Sequence, residues 1–316
     1  MELNSAKGLV MRSTGSWYEV LDLQTNEVHS CRPGGRLRLS GDRSTNPFAV
    51  GDVVEFIREP QGEPPTLIAR DERRNAIIRR SVNLSKATHV VAANLDRAFL
   101  IVTVDSPATS FGFIDRFLVT AEAYGVPTTI VINKIDCCET AELKAKVEEL
   151  EAVYQSAGYS CLRTSAITSE GLKALKEAMA ASGVNLLSGH SGVGKSTLIN
   201  ALVPQLELKT GEVSTSHRKG KHTTTFAEMF HLPNGGFIID TPGIKGFGIV
   251  ELNRDSLHHY FPEFFERLPA CKFHNCLHRS EPNCAVRAAV ESGEIALERY
   301  ENYLDLYENF DEAGYR

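Results

Sequence analysis

No apolar run in the 316-residue chain approaches the roughly 20 residues that a membrane span requires. The expectation is therefore no membrane partner. The stretch Met1-Glu2-Leu3-Asn4-Ser5-Ala6-Lys7 carries no signal-peptide pattern, so a cytoplasmic location is expected. There is no excess of positive charge either. The formal net charge is −6, and the field of the whole chain would oppose an RNA partner, so RNA must be met by local basic patches. An evenly distributed disulfide framework is also missing. Of seven cysteines, Cys31, Cys137, Cys138 and Cys161 are scattered, whereas Cys271, Cys276 and Cys284 cluster with histidines. In a reducing compartment such a cluster favours a metal over a disulfide. What remains is an ordinary globular composition and enough length for two or three domains.

The most informative stretch is Gly189-His190-Ser191-Gly192-Val193-Gly194-Lys195-Ser196-Thr197, which fits the phosphate-loop pattern G-x-x-x-x-G-K-[ST]. Val184-Asn185-Leu186-Leu187 before it reads as a buried strand, and Leu198-Ile199-Asn200-Ala201-Leu202 after it as a helix. The competing reading is a chance glycine turn, and the strand, loop and helix order argues against it. In such a loop, backbone N–H groups converge on phosphate oxygens at a helix N-terminus. Lys195 is expected to reach the β- and γ-phosphates and Ser196 to hold Mg²⁺.

From Ala98 onward strands and helices alternate. Ala98–Val104, Thr128–Ile132 and Cys161–Arg163 read as strands, and Ile114–Tyr124, Thr140–Ala157 and Glu170–Ala180 as helices. This predicts an α/β domain with a parallel sheet. Asn133-Lys134-Ile135-Asp136 falls at the C-terminal end of a strand, where such sheets bind ligands. This N-K-x-D resembles the guanine-specificity element of regulatory GTPases. Asp136 would accept hydrogen bonds from guanine N1–H and the 2-amino group, Asn133 would brace the phosphate loop, and Lys134 would lie along the base or ribose. Adenine lacks those donors and would leave the Asp136 carboxylate desolvated and unpaired. Thr164-Ser165-Ala166 resembles the S-A element that supports guanine O6, with Ser165 and Ala166 as the expected contacts; an ordinary strand-to-helix turn is the alternative.

Gly220-Lys221-His222-Thr223-Thr224-Thr225 resembles a first switch, with Thr224 expected to complete the Mg²⁺ shell and Thr223 next in line. Phe237-Ile238-Ile239-Asp240-Thr241-Pro242-Gly243 ends a hydrophobic strand in D-x-x-G, which fits a second switch. Asp240 would act on Mg²⁺ through water, and the Gly243 N–H would meet the γ-phosphate. The order of these elements is base, base support, phosphate loop, first switch, second switch, whereas regulatory GTPases begin with the phosphate loop. The domain therefore reads as circularly permuted, a change that preserves spatial neighbours while moving the chain ends. Ile244 stands where many such GTPases have a water-orienting glutamine. His222 and His190 are the remaining candidates, and His222, in a mobile switch, is preferred as the catalytic residue. Gly192 stands where potassium-dependent relatives often have asparagine, so no potassium requirement is expected.

The first eighty residues contain strand candidates at Gly8–Leu23 (with Gly15 as a bulge), His29–Leu39, Val53–Ile57 and Thr66–Ala69, separated by glycine and proline turns. This predicts a small all-β barrel of the OB type. Arg70-Asp71-Glu72-Arg73-Arg74, Arg79-Arg80 and Lys86 form a basic stretch that reads equally as a solvated linker or as a phosphate-contact surface. At the other end, Cys271, Cys276, His278 and Cys284 give C-x4-C-x-H-x5-C. Three thiolates and one imidazole suit one structural, tetrahedral Zn²⁺, with His274 as a less fitting alternative ligand. Lys272, Arg279 and Arg287 surround the cluster, and Ala285–Val290 and Ile295–Tyr307 read as helices.

Taken together, the chain resembles the RsgA family of circularly permuted GTPases along essentially its full length. The resemblance rests on Gly15-Ser16-Trp17-Tyr18, the permuted motifs, Gly220–Thr225 and the cysteine–histidine knot. It implies an OB-fold over 1–80, a circularly permuted P-loop GTPase domain over 81–250 and a zinc-binding, mainly helical domain over 251–316. It also implies GTP hydrolysis to GDP stimulated by the small ribosomal subunit during late maturation, contacts to its rRNA, Mg²⁺ with GTP, and a monomer. The alternatives are a GTP-dependent RNA-binding or tRNA-handling factor, for which no second catalytic constellation is found, and a module in which GTP is only structural. A nucleotide kinase is disfavoured by N-K-x-D and the two switches.

Overall fold

The computed structural model describes residues 5–34, 46–58, 63–80, 88–204, 227–233, 235–240 and 252–310. The chain forms two compact units, one drawn from Met1–Arg97, Met179–Leu187 and Ser214–Pro242, the other from Ala98–Ala178, Ser188–Val213 and Gly243–Arg316. Among the described residues no helix is long and apolar enough to cross a membrane.

In the first unit, β1 (Ser5–Ser13), β2 (Tyr18–Asp22), β3 (Val28–Pro33), β4 (Val53–Ile57) and β5 (Thr66–Arg70) pair in the order β1-β2-β3-β5-β4, and β1 returns to β4 to close the barrel. All pairs are antiparallel except β3 with β5, which is the expected five-stranded OB arrangement. Alternating residues fill the interior: Ala6, Val10, Tyr18, Val20, Cys31, Val54, Phe56 and Leu67, with Phe48 from the connection. Gly8 makes closure possible, because a Cβ there would lie 2.3 Å from Val20 Cγ1. The single strand expected over Gly8–Leu23 is instead a hairpin. Gly15 at φ +89° belongs to its turn, which the Thr14 N–H fastens to the Trp17 carbonyl at 2.9 Å. A second hairpin, β6 (Ala76–Arg80) with β7 (Thr88–Ala93), occupies part of the basic stretch. Among the described residues, three further strands belong to this unit. In it β11 (Val184–Ser188) runs parallel to β13 (Phe237–Asp240), β13 pairs antiparallel with β12 (Glu228–His231), and β12 pairs with the far end of β1.

Much of the basic stretch is used internally. The buried Asp52 carboxylate accepts from the Ala49 N–H and from Arg73 Nε and Nη2, each at 2.7 Å. Arg70 Nη1 lies 3.9 Å from it, and Arg74 bonds Asp96 at 2.8 Å. Arg70 and Arg73 are thus held inside the unit by Asp52, with side chains only 14% and 12% exposed, whereas Arg74 stays exposed. Lys86 lies outside the described residues.

In the second unit, β8 (Arg97–Val102), β9 (Thr128–Ile132) and β10 (Ser160–Arg163) form a parallel sheet. Helices α1 (Phe111–Ala123), α2 (Ala141–Ser156), α3 (Leu172–Ser182) and α4 (Lys195–Leu202) follow the successive strands β8, β9, β10 and β11 in the chain. Ser110 and Thr140 cap α1 and α2, accepting from Phe113 N and Leu143 N, the preferred chemistry for orphan helix-start donors.

The C-terminal residues of this unit form α5 (Pro262–Phe265), α6 (Ala285–Glu291) and α7 (Leu297–Glu308), packed through Leu257, Phe261, Phe264, Val286, Ile295, Tyr303 and Leu306. They are fastened to α1 by Arg299, whose side chain is 1% exposed. Its Nη1 bonds Asp115 at 2.6 Å, and its Nε and Nη2 bond Glu263 at 2.7 and 3.0 Å. Asn302 and Tyr154 also donate to Asp115, at 2.5 and 2.9 Å. Burial pushes the Asp115 carboxyl up, against the pull of Arg299. Removing one partner of such a pair leaves a buried charge uncompensated. Arg299→Ala is expected to lower the unfolding free energy by about 3–5 kcal/mol, read as a lower urea midpoint by circular dichroism.

Candidate nucleotide and metal sites

The fold brings the base-reading stretch against the phosphate loop. Asn133 follows β9 and is buried. Its Nδ2 donates to the Val193 carbonyl at 2.9 Å, and its Oδ1 accepts from Thr164 Oγ1 at 3.1 Å. One side chain thus ties together N-K-x-D, the phosphate loop and the Thr164-Ser165-Ala166 turn. Lys134 takes a left-handed φ of 62°, and its Nζ bonds the Ser106 carbonyl at 2.7 Å. Asp136, half-buried, sits in the 3-10 turn Ile135–Cys137. Ser165 is buried, and its Oγ accepts from the Ile167 and Thr168 N–H groups at 3.2 and 3.1 Å, so the hydroxyl shapes the turn; Ala166 follows it half-buried.

The phosphate loop spans the end of β11 to the start of α4. Gly194, at φ +93°, precedes Lys195, and a Cβ on Gly194 would lie 2.6 Å from Asn133 Nδ2. Gly189 is equally constrained, since its Cβ would stand 2.3 Å from the Ile101 carbonyl oxygen. Lys195 Nζ donates to the Gly189 and His190 carbonyls at 2.6 and 2.7 Å. Ser196 and Thr197 open α4, with Ser191 and Gly192 exposed on the loop and Val193 buried beneath it. The His190 ring packs at a 33° tilt against Phe113 of α1, with centroids 3.7 Å apart. Burial, and then Lys195, lower the pKa of that imidazole. Phe113 carried no signal in the sequence, since the helix expected there begins at Ile114 whereas α1 begins at Phe111, and Thr164 had none beyond its place in the turn.

In the first unit, Asp240 ends β13 in register with Leu187 of β11, two residues before Gly189 in the chain. Across β12 its partner is Glu228. Burial raises the Glu228 pKa, Arg12 opposes that rise, and Glu19 and Asp240 add to it. His222, Thr223, Thr224, Gly243 and Ile244 lie outside the described residues.

The cysteine–histidine cluster is assembled. Ligand atoms of Cys271, Cys276, His278 and Cys284 all lie within 4.8 Å of one another, and His274 is not in the group. His278 Nδ1 is 3.7 Å from Cys271 Sγ and 3.3 Å from Cys284 Sγ. A tetrahedral Zn²⁺ with Zn–S near 2.3 Å and Zn–N near 2.0 Å places its ligand atoms about 3.5–3.8 Å apart, so the donor set fits that ion and could hold it. Burial pushes the Cys276 thiol up to about 12, so thiolates here need a cation beside them. The carbonyls of His278 and Leu277 accept from Tyr300 and Tyr303 at 2.7 and 2.6 Å, which anchors the cluster to α7. Of the neighbouring cations, Arg279 lies 4.7 Å from the Tyr307 ring centroid and 3.5 Å from Glu308 Oε1, while Lys272 lies 5.4 Å from that of Phe273.

Comparison with known proteins gives this geometry a family. The model described as RsgA GTPase matches residues 70–250, and that described as RsgA N-terminal domain matches residues 7–64. The chain belongs to the RsgA family. A protein of Bacteroides fragilis named small ribosomal subunit biogenesis GTPase RsgA is 52% identical over 310 residues, covering 98% of this chain and 99% of that protein. The RsgA of Christiangramia forsetii bearing the same name is 50% identical over 312 residues, with 98% of each chain covered. Among solved structures, YjeQ from Thermotoga maritima superposes with a TM-score of 0.78 at 35% identity over 96% of this chain and 98% of that one. YloQ, described as a circularly permuted GTPase, gives 0.73 at 28% identity over 98% and 96%. This RsgA-family chain is a circularly permuted P-loop GTPase with an N-terminal β-barrel.

Two outcomes check the sites. Gly194→Ala adds about 1–3 kcal/mol of backbone strain and displaces Asn133, so GTP affinity is expected to fall roughly tenfold or more in a fluorescent-nucleotide titration, with an unchanged far-ultraviolet spectrum. Elemental analysis of the purified chain is expected to find one zinc per chain, lost in Cys284→Ser together with several degrees of thermal stability.

Proposed function

We propose that this GTPase acts in late maturation of the small ribosomal subunit, hydrolysing GTP to GDP and phosphate when the subunit engages it, and that hydrolysis times its release. Support comes from the family, from the names its relatives carry, and above all from Asn133 joining the base-reading stretch to the phosphate loop. In this reading the barrel (1–80) and the zinc-binding region (251–316) flank the GTPase domain (81–250) and contact rRNA, and the protein acts as a monomer in the cytoplasm.

Asp136 reads the guanine edge, Lys134 lies along base or ribose, and the Ser165–Ala166 backbone supports O6. The N–H groups of Gly189 to Thr197 cradle the phosphates, with Lys195 on the β- and γ-phosphates. Ser196, Thr224 and Asp240 would hold magnesium, which neutralises charge developing between those phosphates. The Gly243 N–H meets the γ-phosphate. His222 orients the attacking water once a partner orders the first switch. Ordered switches favour the RNA-gripping state, and loss of the γ-phosphate relaxes them.

Steady-state turnover with and without small subunits tests this reading. Stimulation by the subunit is expected; stimulation by free tRNA instead favours a tRNA-handling factor, and no turnover in either condition leaves GTP a structural role. His222→Ala is expected to keep nucleotide affinity and lose stimulated turnover by about 10²–10⁴-fold, the usual worth of a positioned acid–base group. Equal small-subunit affinity in the GDP and non-hydrolysable-GTP states would refute timed release.

A further inference from the structure

Four charged residues lie in one row across the sheet of the first unit. Glu19 on β2 is the register partner of Arg12 on β1, Arg12 is the partner of Glu228 on β12, and Glu228 is the partner of Asp240 on β13. Directly opposed residues present their side chains on the same face, so the charges run negative, positive, negative, negative along one face. Arg12 Nη1 lies 3.7 Å from Glu19 Oε1. The strand that carries Arg12 has two roles. Its Ser5–Leu9 half pairs with β4 and closes the barrel, whereas Arg12 pairs outside the barrel with β12. The other end of the row, Asp240, is paired with Leu187 beside the chain's entry to the phosphate loop.

Glu228 and Asp240 are like charges on neighbouring strands, an arrangement that repels. Arg12 is the positive member of the row and faces Glu228 from the opposite side. We propose that Arg12 is a positioning residue for GTP hydrolysis, supplied by the barrel: it balances Glu228 and thereby keeps the Asp240 carboxylate in place to serve the magnesium of the nucleotide. This rests on the reading of Asp240 as the magnesium carboxylate. It gives the barrel a part in the chemistry besides any contact with RNA.

The test uses the full chain and measures release of a fluorescent GDP analogue as free magnesium is titrated, alongside GTP turnover. In Arg12→Ala the magnesium concentration for half-maximal retention is expected to rise about two- to fivefold, the range a cross-strand charge contact supports. kcat is expected to fall while KM for GTP at saturating magnesium stays within about twofold, since the phosphate loop and Asp136 bear the rest of the ligand. Arg12→Lys keeps the charge and should behave as the parent. Adding Glu228→Gln to Arg12→Ala removes the repulsion and should restore the magnesium midpoint. A parental midpoint in Arg12→Ala overturns the proposal, as does a defect that persists in the double variant, because both make Arg12 a plain barrel contact. Asp240→Asn separates the two levels of the argument. It is expected to raise the magnesium midpoint for GDP retention at least as far as Arg12→Ala does; a parental midpoint there overturns the reading of Asp240 itself.

Discussion

The bond from Asn133 to the Val193 carbonyl is the constraint on which the nucleotide site depends. In the proposed reading, base recognition and phosphate binding come from segments 60 residues apart, each at the C-terminal end of its own strand. Hydrogen bonds inside β9 and α4 fix each segment locally but not their spacing. Asn133 fixes that spacing with a buried amide whose other end is held by Thr164. Gly194 makes room for it, because any side chain there would meet the Asn133 amide nitrogen. A triphosphate and a base joined by one ribose require a fixed distance, so in the proposed reading this small buried polar contact sets the geometry in which specificity is expressed.

A second constraint acts on α1. Its N-terminal turn presents Phe113 to His190 of the phosphate loop, and half a turn later Asp115 meets Arg299 of α7. Nucleotide-loop packing and the anchoring of the cysteine–histidine knot therefore share one rigid helix. A buried guanidinium between two carboxylates costs much desolvation and returns it only through good geometry, and here every donor on the Asp115 and Glu263 side is directed.

The motifs were legible because their chemistry dictates their spacing. A phosphate loop, N-K-x-D and four zinc-type ligands are local patterns, and the structure assembles the first two through Asn133 and the last within one cluster. The barrel was legible as strands and turns but not in register. Gly15 reads as a bulge within one strand, whereas pairing from Gly8 with Asp22 to Ser13 with Tyr18 shows that the chain reverses there. The β6–β7 hairpin was hidden because Arg79 and Arg80 give it the composition of a solvated linker. Strand β12 is four residues long, too short for alternation to stand out beside a polar switch. Arg299 was invisible for a different reason. One arginine on an amphipathic helix looks solvent-facing, and nothing local reveals a carboxylate 184 residues earlier.

That long-range pair also bears on modularity. The residues from 251 onward look, from composition, like an appendage that could be gained or lost without harm to the nucleotide domain. Asp115 argues against this: Arg299 and Asn302, which hold its carboxylate, both belong to α7, so a chain ending before α7 would strip Asp115 of both partners and uncover that face of α1. The region that carries the knot and the helix beside the phosphate loop are thus joined by one buried ion pair, and a change to either member leaves the other uncompensated.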